Sequence, residues 1–185
     1  PYFAAQVDRN GLEALLNDPG VASVQEDKLA KAYLAQSVPL IHAPEAWAAG
    51  YTGNGWSVAV LDTGVDKAHP FLTGKVVSEA CYSTTDAGQP CQSACPGGAS
   101  ESTAEGAAVP PVGGDYGDAF YHGTHVAGIA AGTDASSSGV ARDGNIIAVQ
   151  VFSWFPEYYG PGGGAALSWT SDQIKGLERV YSLRN

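Results

Sequence analysis

The sequence contains no long hydrophobic run. Its richest apolar stretches, at residues 58–61, 126–131 and 146–152, are far shorter than the roughly 18 apolar residues that a membrane-spanning helix requires. A transmembrane span within these 185 residues is therefore excluded. The composition, 44% hydrophobic and 10% aromatic, is nevertheless that of a globular domain long enough to bury its own core.

Basic residues are missing from the middle of the chain. No Lys or Arg occurs between Lys75 and Arg142. The acidic residues in that interval are Glu79, Asp86, Glu101, Glu105, Asp115, Asp118 and Asp134. Because the net charge is −10, phosphate backbones are repelled and nucleic acid is disfavoured as a partner. We interpret the acidic residues mainly as a solvated face, with calcium binding as the alternative.

Cysteine is scarce, and all of it falls in one stretch rich in Gly, Ser and Pro. Cys81, Cys91 and Cys95 lack the fourth ligand and the paired spacing that a zinc site needs. A disulfide in an extracellular loop is the better interpretation. The odd number leaves one thiol over, and the spacing does not show which two cysteines pair.

The first 36 residues differ from the remainder. Asn10 can cap a short helix that ends before Pro19, and a strand-like run then begins at Val21 and ends at residues 25–27. Further on, the apolar run at 56–61 predicts a strand that is covered on both faces, as in a parallel sheet.

More strands and helices follow in alternation. We expect a helix of small residues over 122–132, a second buried strand over 145–152 and an amphipathic helix over 170–185. In the last helix, Thr170 and Gln173 fit a capping box. Its apolar face consists of Ile174, Leu177, Val180 and Tyr181. Strands that alternate with helices predict an α/β fold with a parallel sheet.

The segment 78–118 is rich in Gly, Ser, Ala and Pro and shows no periodicity. An unstructured loop of this length is uncommon within a compact domain. We therefore interpret 78–118 as a surface insertion between two functional elements.

Asp62 and His122 have the residue types and positions of a catalytic pair. A histidine can take a proton from a hydroxyl nucleophile, and a carboxylate on its other ring nitrogen fixes the tautomer and stabilises the imidazolium. Asp62 follows a buried strand, where open α/β sheets hold their sites, and His122 opens the helix of small residues. Both should face one edge of the sheet.

Two longer motifs surround this pair. The segment V-L-D-T-G-V-D at 60–66 and the segment H-G-T-H-V-A-G at 122–128 closely resemble the aspartate and histidine motifs of the subtilisin-like serine proteases, or subtilases. The order of aspartate and histidine also matches. The resemblance implies a three-layer, doubly wound α/β fold with a mostly parallel sheet. It also implies serine endopeptidase activity through an Asp-His-Ser triad.

The resemblance assigns a role to each residue that matches the motifs. Asp62 would orient the base, and His122 would be the general base and later the general acid. Gly123 and Thr124 would shape the turn into the helix, and His125 would pack or form hydrogen bonds. A metal held by His122 and His125 is a weaker alternative, because no third ligand accompanies them.

The same resemblance implies that the chemistry needs no cofactor. Many relatives have an acidic calcium ligand directly after the His-Pro pair, but Phe71 stands there in this sequence. The acidic loops could hold a structural calcium elsewhere, although no ligands can be assigned. Asp66 and the His69-Pro70 pair are expected to shape the turn after the first strand.

By the resemblance, the chain has two parts. Residues 1–36 resemble the end of an inhibitory propeptide, a small α+β unit, with a cleavage point between residues 27 and 39. Residues 37–185 resemble the N-terminal part of the catalytic domain. The serine motif G-T-S-x-A-x-P of relatives is absent from the 185 residues. We therefore expect a fragment that is inactive alone, from a secreted, monomeric protease that cleaves proteins or peptides and is inhibited by its own propeptide.

Two alternatives belong to other classes. One is a non-catalytic member of the subtilase fold that acts as a binding module. The other is a nucleotide-binding α/β protein, suggested by Gly53, Gly55 and the glycine-rich run at 160–164. The nucleotide-binding alternative fits poorly, because Gly53 and Gly55 precede the strand and the run at 160–164 lacks a following Lys-Ser or Lys-Thr.

Overall fold

The computed structural model describes residues 5–24 and 34–184. The chain divides into two compact units, residues 1–33 and residues 34–185. The predicted cleavage point between residues 27 and 39 lies partly outside the described residues and partly in helix α2 (Leu34–Leu40), which begins the second unit. No helix within 5–24 or 34–184 is long and apolar enough to cross a membrane.

The described part of the first unit contains helix α1 (Arg9–Leu16). Asp8 caps it, because its carboxylate accepts a hydrogen bond from the backbone N–H of Gly11 at 2.7 Å. The prediction that Asn10 is the cap is therefore wrong; an aspartate at Asp8 satisfies a free N–H and lies at the positive end of the helix dipole. Residues 21–24 have no regular secondary structure, and the rest of the predicted strand-like run lies outside the described residues.

A four-stranded sheet forms the centre of the second unit, in the strand order β1-β5-β2-β4. Strands β1 (Ser57–Asp62), β2 (Val76–Tyr82) and β5 (Asn145–Gln150) are parallel, and the two-residue strand β4 (Glu101–Ser102) is antiparallel to β2. The prediction of an α/β fold with a mostly parallel sheet is confirmed. A smaller antiparallel sheet contains β3 (Gln92–Ser93), β6 (Ser153–Phe155) and β7 (Ala165–Leu167).

Helices cover both faces of the main sheet. Short helix α3 (Ala43–Ala48) precedes β1, and the covering helices are α4 (His122–Ala131) and α5 (Thr170–Ser182). Val60 of β1 belongs to the cluster that contains Ala127 of α4, whereas Leu61 packs against a second cluster, on which Val180 of α5 also packs. Because successive strand residues point to opposite faces, α4 and α5 lie on opposite sides and the unit has three layers.

Of the predicted apolar face of helix α5, Val180 packs on the sheet, but the other three residues do not. Ile174, Leu177 and Tyr181 are 51%, 59% and 61% exposed. The buried residues of α5 are instead Asp172 and Gly176. The predicted capping box is also absent, because the N-cap position is Trp169 and provides no side-chain hydrogen bond. The helix approaches the sheet closely at a glycine, a contact that apolar periodicity does not indicate.

The segment 78–118 is ordered, so the prediction of an unstructured loop is wrong. Strand β2 runs into it, β3 and β4 lie within it, and a disulfide joins Cys81 to Cys95. Cys91 is the remaining thiol and is buried. Periodicity analysis misses these elements because two-residue strands are too short to show a pattern. The disulfide also holds the segment in place and needs no periodic pattern of apolar residues.

Candidate active site

Asp62 and His122 meet where β1 ends and α4 begins. The Nδ1 atom of His122 lies 2.8 Å from Oδ1 and 2.9 Å from Oδ2 of Asp62. The Asp62 side chain is 13% exposed and the His122 side chain 67% exposed. The backbone N–H of Thr63 also donates to Asp62 Oδ1 at 2.7 Å, which orients the carboxylate. The structure therefore brings together both residues that the sequence selected.

This geometry fixes the tautomer of the imidazole. Nδ1 faces only carboxylate oxygens, so it carries a proton and donates it to Asp62. The other ring nitrogen, Nε2, then has a free lone pair in the neutral ring. Within the described part of the chain, Nε2 has no hydrogen-bond partner. The pair therefore presents an accessible proton acceptor that is backed by a largely buried carboxylate.

Glycines allow β1 and α4 to approach each other. Gly64 has a φ of +101°, a conformation that favours glycine, and a Cβ there would lie 2.7 Å from the carbonyl oxygen of Ala108. A Cβ on Gly123 would overlap the carbonyl oxygen of Gly64 and lie 3.0 Å from Cβ of Asp62. The predicted role of Gly123 in the turn is thus a steric one.

The predicted turn residues lie in the loop that follows β1. The backbone N–H of Asp66 donates to Thr124 Oγ1 at 2.9 Å, and Asp66 Oδ1 accepts from the N–H of Ala68 at 2.9 Å. Nδ1 of His69 accepts from the N–H of Phe71 at 3.2 Å, at the start of a 3-10 turn. The bond to Thr124 holds the loop against the first turn of α4, and the other two shape the loop itself.

An ion pair holds the same loop to strand β2. Lys67 Nζ donates to Glu79 Oε2 at 2.7 Å and to Glu105 at 3.3 Å, and the N–H of Gly106 also donates to Glu79. The Glu79 side chain is 8% exposed and the Lys67 side chain 31% exposed. The hydrogen bond that Lys67 donates to Glu79 raises the pKa of Lys67 above its usual 10.5, and the bond to Glu105 adds to this effect.

His125 does not join the pair. It is exposed and lines a groove of about 450 Å³ beside α4, whose other lining residues include Asp66, His69, Phe71, Val112 and Ile129. Its ring forms no hydrogen bond with any described residue, so the hydrogen-bonding role expected for His125 is not seen and its packing role stays a prediction. No group of three or more potential metal ligands occurs among residues 5–24 and 34–184.

Thr63 is the residue at this site that the sequence did not single out. Its hydroxyl contacts both the segment before α4 and the helix itself, and its position next to Asp62 was the one available signal.

Taken together, the fold and the site define an α/β protein with a histidine–carboxylate pair at the carboxyl edge of its parallel sheet. This arrangement is the one that activates hydroxyl nucleophiles in hydrolases.

A family model described as the Subtilase family matches residues 53–183, and the chain belongs to this family. It is 37% identical to subtilisin E of Bacillus subtilis (strain 168), over 97% of this chain and 38% of that protein. The chain therefore spans well under half the length of this relative. The resemblance to subtilases that the motifs indicated is confirmed.

The names of two other relatives state different compartments. The minor extracellular protease Vpr of Bacillus subtilis is 32% identical over 85% of this chain and 16% of its own length. The major intracellular serine protease of the same bacterium is 31% identical over 76% of this chain and 36% of its own length. A solved structure of a protease from Pseudoalteromonas arctica PAMC 21717 matches 73% of this chain and 37% of its own, with a TM-score of 0.50 and 27% identity.

Proposed function

We propose that this chain supplies the aspartate and histidine of a serine endopeptidase. The hydrogen bond between His122 Nδ1 and Asp62 carries the proposal, because it leaves Nε2 ready to accept a proton. The nucleophilic serine would belong to a longer chain, called the full-length protein below. In support, the 185 residues contain no G-T-S-x-A-x-P motif, and the chain spans 38% of the length of subtilisin E.

In the proposed reaction, Nε2 of His122 takes the proton of the serine hydroxyl as its oxygen attacks the carbonyl carbon of the scissile peptide bond. Asp62 keeps the Nδ1 proton and stabilises the imidazolium that forms. The imidazolium then gives its Nε2 proton to the leaving amine as the peptide C–N bond breaks. Water repeats the cycle on the acyl-enzyme and releases the carboxylic acid. No cofactor takes part; a structural calcium in the acidic loops stays a prediction.

Further parts of the proposal concern the whole protein. Residues 1–36 would be the end of an inhibitory propeptide that the protease cleaves from itself, and residues 37–185 would begin the catalytic domain. We place the protein outside the cell, because the Cys81–Cys95 disulfide fits an oxidising compartment. Its substrates would be proteins or peptides, and the mature enzyme would be a monomer.

The test is reaction with a fluorophosphonate, which phosphonylates activated serines with loss of fluoride, together with cleavage of casein. We expect the full-length protein to be labelled once and to cleave casein, and the 185-residue polypeptide to do neither, because the parts of a triad act as a unit. Labelling and cleavage by the 185-residue polypeptide would contradict the assignment of the nucleophile to a longer chain. A folded full-length protein that is never labelled would instead indicate the non-catalytic binding module.

A further inference from the structure

The hydroxyl of Thr63 joins two elements that are distant in sequence. Thr63 is 3% exposed, and its Oγ1 accepts a hydrogen bond from the backbone N–H of Gly123 at 2.9 Å. The same hydroxyl donates to the carbonyl oxygen of Phe120 at 3.1 Å. The side chain directly after β1 therefore donates to the segment that leads into α4 and accepts from the first turn of α4 itself.

This contact replaces a cap that α4 lacks. The residue before the helix, Tyr121, has a helical backbone conformation and forms no side-chain capping bond. The N–H of Gly123 is one of the first-turn donors that have no partner inside a helix. Thr63, 60 residues earlier in the sequence, satisfies this donor as an N-cap side chain normally would.

The carbonyl of Phe120 is a firm anchor for the other half of the contact. The Phe120 ring is fully buried and lies edge-on to Tyr116, with ring centroids 5.6 Å apart. Trp154 packs against the same ring at 6.3 Å. The hydroxyl of Thr63 therefore ties β1 to a point that packing already holds in place.

The same residue acts on both members of the pair. Its N–H donates to Asp62 Oδ1 at 2.7 Å, and its hydroxyl holds Gly123, the neighbour of His122. The His122 side chain is 67% exposed, so packing does little to hold the ring. The place of the ring then depends on how firmly the backbone of its helix is fixed to β1.

We propose that Thr63 is a positioning residue for the Asp62–His122 pair, because its hydroxyl fixes the start of α4 against the end of β1. This inference rests on the proposed function. Thr63 is buried and would not touch substrate, so its loss should lower kcat and leave KM nearly unchanged. A misplacement of the order of 1 Å can lower catalysis by about 100-fold, and we expect a 10- to 100-fold loss of kcat, as an order-of-magnitude estimate.

The experiment compares Thr63→Val and Thr63→Ser in the full-length protein. Valine has the shape of threonine without the hydroxyl, whereas serine keeps the hydroxyl. We expect Thr63→Val to have a lower kcat than the wild type. We also expect the NMR signal of the hydrogen-bonded Nδ1 proton of His122 to be weaker or broader in this variant. Thr63→Ser should restore both. If Thr63→Val does not fold, Thr63→Ser decides: a kcat close to wild type supports the proposal, and a large loss overturns it.

Ser83→Ala is the matched control. Ser83 is fully buried, and its hydroxyl likewise donates to a carbonyl, that of Phe152 at 2.8 Å, and accepts from a backbone N–H, that of Ala94 at 2.9 Å. We expect Ser83→Ala to lower Tm without changing kcat. An unchanged kcat in Thr63→Val, or an equal kcat loss in Ser83→Ala, would overturn the role of Thr63. An inactive, unlabelled wild type would instead refute the proposed function itself.

Discussion

The contact between β1 and α4 leaves no space for a side chain at Gly123. A Cβ at this position would overlap the carbonyl oxygen of Gly64, which is backbone and cannot rotate away. Gly128 lies in the same helix, but a Cβ there would meet only the edge of the Phe71 ring at 3.3 Å. An alanine at Gly123 therefore tests the steric clash, whereas an alanine at Gly128 tests only the general cost of glycine in a helix.

We predict that Gly123→Ala destabilises the full-length protein by about 3 kcal/mol, at the upper end of the cost of overpacking. Gly128→Ala should be close to neutral, because the Phe71 ring can shift and alanine favours a helix. The measurement is urea unfolding of both variants and the wild type. Equal unfolding midpoints for the two variants would contradict the steric role of Gly123.

A second prediction concerns the pH dependence of the Lys67–Glu79 pair. The pKa of Lys67 is raised above 10.5 in the folded protein. The stabilisation that the charged Lys67 gives the folded state is therefore fully present below pH 10.5, and it is lost as the pH rises through the folded-state pKa. Lys67→Met should therefore lower Tm near neutral pH, and the difference from wild type should shrink above pH 10.5. Lys175→Met, which loses only an exposed pair with Glu101 at 3.4 Å, is the control and should have little effect. A difference for Lys67→Met that is the same at all pH values would count against the ion pair.

At the scale of residues, sequence could select Asp62 and His122 because each lies in a long, specific motif. Their mutual distance, and the bonds of Thr63, could not be predicted in the same way. Those bonds join residues about 60 positions apart, and no local pattern encodes such a contact. The spacing of the cysteines could not show which two of them pair. In the folded protein Cys81 pairs with Cys95.

Among the elements, α5 depends on a buried carboxylate for its place on the sheet. Asp172 is 2% exposed and accepts from the N–H of Thr84 at 3.0 Å and from its hydroxyl at 3.2 Å. Thr84 lies just beyond the end of β2. The first turn of the helix is thus joined to the sheet, and Gly176 allows close contact with Leu61 and Val149 further along.

We predict that Asp172→Ala destabilises the full-length protein by about 1.5–3 kcal/mol, because it removes two hydrogen bonds to a buried carboxylate. Glu178→Ala on the exposed side of α5 should stay within about 0.5 kcal/mol of wild type. Chemical denaturation of the two variants provides the comparison. If Asp172→Ala is as stable as Glu178→Ala, the hydrogen bonds between Asp172 and Thr84 contribute little to the stability of the protein.

Sequence patterns located the regular elements better than their packing. The run at 56–61 predicted a strand that the fold has at Ser57–Asp62, and the helix expected at 122–132 is His122–Ala131. The face of α5 was predicted correctly only at Val180, because close approach at Gly176 outweighs the apolar periodicity of the larger residues. Sequence analysis likewise missed the order in 78–118, where short bridges and a disulfide replace long strands.

Across the whole molecule, the described residues leave apolar and backbone groups uncovered. Strand β1 pairs only with β5 within the described part, so its other edge is free. Ile174, Leu177 and Tyr181 form an exposed apolar stripe on α5. An open strand edge and an apolar stripe both favour association between copies.

We therefore predict that the purified 185-residue polypeptide is poorly soluble and binds a dye that reports on exposed apolar surface, whereas the full-length protein does not. Replacing both Ile174 and Leu177 with Gln should reduce dye binding by the polypeptide, because these side chains are more than half exposed. Light scattering and dye fluorescence are the measurements. A monomer with a sharp cooperative melt and no dye binding would contradict this account.

The central claim, that Asp62 and His122 work as one catalytic unit, is tested most directly by kcat/KM of His122→Ala in the full-length protein. His122 is largely exposed, so the change should leave Tm unchanged. We predict that kcat/KM falls by about 10⁴-fold or more, the scale on which triad members act, and that the precursor stays uncleaved. A variant that keeps kcat/KM within about tenfold of wild type and matures normally, with no other protease present, would contradict the account.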